Sequence, residues 1–196
     1  MSTPNQKPQG FLAYVKDFKS ISGLIGKGAL AAPILSLIFN VGPPWPSRIA
    51  TPILTSLMQI LVLVYVFQFW TPLAKKRKER RMKISIIAVV IGFLLYFWLF
   101  SSYVFDAPDT SHRDIKGLFY SPAAGLVIND SYPEGEALKG AAYDPTRIWE
   151  PWTVYLMRVL VLVSWLVFFV SVSIYLATFV LMKRNQRAQT QRGVYG

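Results

Sequence analysis

The chain has no cysteine, one histidine and few acids, with 10 Asp and Glu against 21 Lys and Arg. The missing cysteine excludes disulfides, thiolate catalysis and cysteine-ligated metal. A lone histidine leaves no spare base for a catalytic triad and no His pair for haem. Charged residues make up 16% of the 196, below the roughly 25% of soluble domains. There is no glycine-rich nucleotide loop, no HExxH, and no Asp, Glu or His inside the apolar runs to relay protons. These absences predict a chain that is not an enzyme and carries no catalytic residue, metal or cofactor.

What is present is apolar. Hydrophobic residues reach 53%, aromatics 15%, and the mean hydropathy is +0.37. Crossing a bilayer takes about 20 apolar residues, and three stretches supply them. The first spans 49–71 and is uncharged after Arg48. The second, 84–105, is uncharged and rich in aromatics. The third, 152–182, holds one charge, Arg158, and at about 1.5 Å per residue it exceeds a ~30 Å core, so it tilts or projects.

A fourth stretch, 20–41, is apolar mainly over 28–41 and contains Lys27 and Pro33. It reads as a first transmembrane helix or a re-entrant one, and charge favours the span. The 72–83 linker carries Lys75, Lys76, Arg77, Lys78, Arg80, Arg81 and Lys83. The 183–196 tail is also basic, whereas the 106–151 loop holds eight acids. With four spans, fifteen basic residues lie inside and five outside; with three, the split falls to eleven against nine. The predicted fold is therefore an all-α integral membrane protein with four, or otherwise three, transmembrane helices. It would be multi-pass in the cell or inner membrane, with both termini cytoplasmic and a small irregular extracytoplasmic loop. Residues 1–19 form a cytoplasmic tail with an amphipathic segment, in which Phe11, Val15 and Phe18 recur at helical spacing.

In the outer loop, prolines and glycines exclude long helices. Gly117–Ser121 and 125–129 could pair as a hairpin. Trp45, Trp149, Trp152 and Tyr155 fit an aromatic belt at the outer interface. Asp106, Asp109, His112 and Asp114 lie close in sequence but lack recognised ligand spacing, so no metal site is expected.

Three features bear on function. Ser164, Ser171 and Thr178 fall seven apart on the third span, a strip suited to close helix packing or to lining a pore. Gln59 and Gln68 pose the same choice on the first span. Ser173 lies off the strip, so Ser173→Leu should be tolerated where Ser164→Leu with Ser171→Leu disrupts a homo-oligomer or its fold. Arg158 is costly in lipid unless it snorkels or pairs, with Glu150 or Asp144 as nearby acids; a selectivity or gating role in a pore is its other reading. The seven linker cations suit anionic headgroups or an acidic partner, and without aromatic platforms they do not read as a nucleic-acid site. The sequence thus points to a homo-oligomeric channel- or pore-like subunit. The alternative is an anchoring or assembly subunit of a larger membrane complex.

Overall fold

A computed structural model describes residues 38, 41–107, 112–125, 128 and 133–194. The expected amphipathic tail, and nearly all of the 20–41 segment, lie outside the described residues. Three helices are long and apolar enough to cross a membrane. Helix α1 runs Ala50–Trp70 and α2 Lys75–Tyr103. The extramembrane elements are an antiparallel hairpin, β1 (Val104–Ala107) and β2 (His112–Ile115), and short helices α3 (Pro122–Gly125) and α4 (Glu134–Gly140). Helix α5, Pro151–Val194, closes the described chain with 44 residues, about 66 Å at 1.5 Å per residue.

Two boundaries differ from expectation. The basic run is not a linker: α2 starts at Lys75, so its cations occupy the first turns of the helix that then crosses. The basic tail likewise continues α5 through Val194. Lys and Arg are good helix formers, and no Gly or Pro interrupts either junction.

The spans pack around α5. Each helix is apolar on all sides, so apolar periodicity alone cannot select the inward face. Small and polar positions select it instead. On α1 the buried residues are Thr51, Thr55, Gln59, Leu63, Val66 and Trp70; on α2 they are Lys78, Ser85, Gly92, Tyr96 and Leu99. The C-terminal half of α1 clusters with Ala177 and Leu181, while the C-terminal half of α2 clusters with Met157, Val161, Trp165 and Phe169. Trp165 opposes both Thr55 and Tyr96. These pairings make α1 parallel and α2 antiparallel to α5. At Gly92 an added Cβ would lie 3.1 Å from the Phe168 Cα, so glycine sets how closely α2 and α5 approach.

The outer cap is small and built on the start of α5. Leu138, Ile148, Trp149 and Val154 form its core. The described hairpin lies earlier than the expected one: β1 and β2 pair Val104 with Ile115 and Ala107 with His112, while most of 125–129, the partner expected for Gly117–Ser121, lies outside the described residues. Pro122–Gly125 forms a helical turn, and Tyr120 bridges Trp149. The α2 backbone runs straight into β1, so the first turn available after the span takes the pairing. Gly117 allows this path, because a Cβ there would lie 2.4 Å from Thr153 Oγ1 and 2.5 Å from Trp149 Cβ. Trp149 is consequently a cap core residue, whereas Trp152 and Tyr155 remain exposed. Tyr120 donates to Glu134 at 2.7 Å. Burial, with that bond and the Glu134 charge, pushes its phenol up to about 12. Asp144 accepts from the hydroxyl and backbone N–H of Thr146, which holds its carboxyl below the ordinary value.

Candidate functional site

Polar groups within the spans converge on the α1–α5 contact. Thr51, Thr55 and Gln59 follow at four-residue steps and so share one face of α1. Trp165 Nε1 donates to Thr55 Oγ1 at 3.0 Å, Thr55 Oγ1 donates to the Thr51 carbonyl at 2.7 Å, and Thr51 Oγ1 to the Ser47 carbonyl at 3.0 Å. In a medium without water, this chain satisfies each hydroxyl and the indole while joining two helices.

Gln59 continues the face one turn deeper and ends the chain of bonds. It is fully buried, and among the described residues neither Oε1 nor Nε2 has a hydrogen-bond partner. A buried amide without partners costs about 1–3 kcal/mol by mutational measures. Gln59→Leu, similar in volume, is therefore expected to stabilise the bundle by about 1–2 kcal/mol. Thermal unfolding in micelles measures this, and a lower melting temperature would mean that the amide is in fact bonded. Gln68, the other candidate amide of this span, faces outward.

The strip on α5 is also occupied within one chain. Ser164, Ser171 and Thr178 are all buried. Ser164 donates to the Val161 carbonyl at 2.9 Å and Thr178 to the Ile174 carbonyl at 2.7 Å. Ser173, expected on a tolerant face, is fully buried and donates to the Phe169 carbonyl at 3.0 Å. The expectation for Ser173→Leu is thereby corrected. Helix α5 packs on two neighbours at once, so positions about 200° apart are both internal.

Arg158 sits two turns into α5, at the outer edge of the apolar run, and pairs with neither Glu150 nor Asp144. Its guanidinium grips Asp114 of β2, with Nη2 at 2.8 and 2.9 Å from the two carboxylate oxygens and Nε at 3.3 Å from one of them. The guanidinium also lies 5.6 Å from the Tyr155 ring. A second pair, Arg113 with Asp106, links the hairpin strands beside it. Asp106 and Asp114 are thus engaged by arginines, and no group of three or more potential metal ligands occurs among the described residues. Asp109 lies outside them.

At the other end, the structure divides the seven cations. Lys78 is buried and donates from Nζ to the Thr71 carbonyl at 2.8 Å, closing the C-terminus of α1. Arg81 lies over the Trp70 ring at 4.3 Å. Lys75, Lys76, Arg77, Arg80 and Lys83 are exposed. Sequence reasoning treated all seven alike, yet Lys78, Ser85, Gly92 and Leu99 fall at intervals of seven. That period was the available signal for the inward face.

The class these features define is a helical bundle with three helices long and apolar enough to cross a bilayer, a latched cap at one end and a cationic opposite end. Compared with known proteins, the chain matches no family model, no curated protein and no solved structure.

Proposed function

We propose that this chain is an anchoring or assembly subunit of a larger membrane complex, held by four spans with both termini cytoplasmic. The observation that carries the reading is the burial of Ser164, Ser171 and Thr178 within a single chain. Hydroxyls that are internal to one protomer, with Ser164 and Thr178 bonded to their own helix, have no face to lend to an oligomeric pore. The outward faces instead offer apolar contact: Ile53, Leu57 and Leu61 on α1, and Ile87, Ile91, Leu94 and Trp98 on α2. Such faces suit packing against neighbouring spans.

Support for the fourth span comes from Val41, whose carbonyl accepts from the Tyr96 hydroxyl. Tyr96 precedes the outer end of α2 by seven residues, about 10 Å of helix. The chain therefore reaches residue 41 at membrane depth, as it would on leaving a preceding span. The basic excess on the α1–α2 turn and on the α5 end supports their cytoplasmic placement.

Purified chain reconstituted in liposomes should conduct neither cations nor small solutes, while gentle affinity purification should return the same membrane partners in fixed ratio. Single-channel currents from the purified chain would overturn the reading and restore the pore. Because the chain lacks cysteine, Ser2→Cys and Gly196→Cys report topology directly, and both should label from inside only.

A further inference from the structure

The outward side of α2 changes character within one turn. Its exposed residues are Ile84, Ile87, Val90, Ile91 and Leu94 along the apolar run, and Lys75, Lys76, Arg77, Arg80 and Lys83 below it. At 100° per residue, the cations centre on the side opposite Lys78, which is also the side of Ile87 and Leu94. Lys183 of α5 is exposed at a similar level, since Arg81 stacks on Trp70 and Trp70 clusters with Leu181. The single acid among these cations is Glu79, 4.0 Å from Lys75.

The helix start adds an independent observation. Lys75, Lys76, Arg77 and Lys78 fill the first turn of α2, and Ala74 provides no side-chain cap. Cations at a helix N-terminus oppose its dipole. In water that placement is unfavourable, whereas beside a layer of phosphates it is compensated.

We propose that this face binds anionic phospholipid, with acyl chains along Ile84, Ile87 and Ile91 and the phosphate over Lys76, Arg80 and Lys83. The site stands apart from whatever the chain anchors, because it needs only that α2 crosses the bilayer. Lys78 and Arg81 take no part, being held by the Thr71 carbonyl and Trp70. A soluble polyanion could reach the cations but would gain nothing from the isoleucines one turn away. That continuity of apolar and cationic surface makes lipid the occupant.

The test uses intact protein in non-ionic detergent, titrated with dioleoyl phosphatidylglycerol or dioleoyl phosphatidylcholine and read by native mass spectrometry. Phosphatidylglycerol should bind at least about tenfold more tightly than phosphatidylcholine. The triple variant Lys76→Gln, Arg80→Gln, Lys83→Gln should weaken it about a hundredfold at low salt and leave phosphatidylcholine unchanged. Equal retention of the two lipids by the wild type would overturn the proposal, as would a variant that keeps phosphatidylglycerol. So would a short RNA or polyphosphate binding as tightly as the lipid, since the tails would then contribute nothing. Should the variant fail to insert, the wild type still decides. Phosphatidylglycerol should raise its melting temperature more than phosphatidylcholine does, and the difference should collapse near about 1 M salt; a difference unmoved by salt refutes charge recognition.

Discussion

Gly92→Leu is expected to destabilise the bundle by about 3 kcal/mol, the upper end for overpacking. The added Cβ alone would stand 3.1 Å from Phe168 Cα and 3.2 Å from Phe168 N. Both are backbone atoms in the middle of α5, so no rotamer change can relieve the contact, and the leucine branch must push the helices apart. The separation would then loosen the Tyr96–Trp165 and Phe93–Phe168 ring contacts, at 4.9 and 5.7 Å. Gly92→Ala asks the backbone for only a few tenths of an ångström and regains helix propensity, so it should fall within about 1 kcal/mol of the wild type. Leu94→Ala, on the outward face, serves as the control and should change little. Near-ultraviolet circular dichroism on heating in micelles reads all three, because Tyr96 and Trp165 pack across this contact. A Gly92→Leu protein that melts with the wild type would mean that α2 and α5 do not approach as described.

The spans were legible because length and hydropathy are local properties; 49–71, 84–105 and 152–182 each overlap a helix long and apolar enough to cross. Inward faces were harder to read. In lipid-facing helices the outside is as apolar as the inside, so the usual contrast between core and surface is lost. What remained was placement of small and polar residues, which identified Ser164, Ser171 and Thr178 as a packing face and left open whether its partner was another copy or the same chain. The cap was least legible. Its hairpin begins in the last apolar residues of the second run, where Val104 and Phe105 read equally well as helix. The partner of Arg158 is 44 residues away, and sequence proximity favoured Glu150 and Asp144 only because it could not anticipate the hairpin that returns Asp114.

That ion pair yields the second large effect. Asp114→Ala is expected to cost about 2 kcal/mol, somewhat less than the 3–5 for a fully buried pair, since the two side chains retain 15% and 26% exposure. The loss arises mostly from Arg158, which would keep its charge at the edge of the apolar span with only the more distant Asp144 carboxylate acting on it. Replacing both partners, Asp114→Leu with Arg158→Leu, removes that stranded charge and should return stability to within about 1 kcal/mol of the wild type. Arg158→Lys keeps the charge but not the fork that spans both carboxylate oxygens, so it should recover only part of the interaction. With the single variants Asp114→Leu and Arg158→Leu, the wild type and the double variant complete a double-mutant cycle whose coupling term should be about 2 kcal/mol. Hydrogen exchange separates cap from bundle: with Asp114 gone, amides of Val104–Ile115 should exchange faster while those of α1 hold their protection, because the pair ties β2 to α5 and nothing in α1 depends on it. Equal exchange in wild type and Asp114→Ala, with equal melting, would show that the hairpin is held by its own ladder and by Ile115 in the α2–α5 cluster, and that Arg158 is accommodated by snorkelling alone.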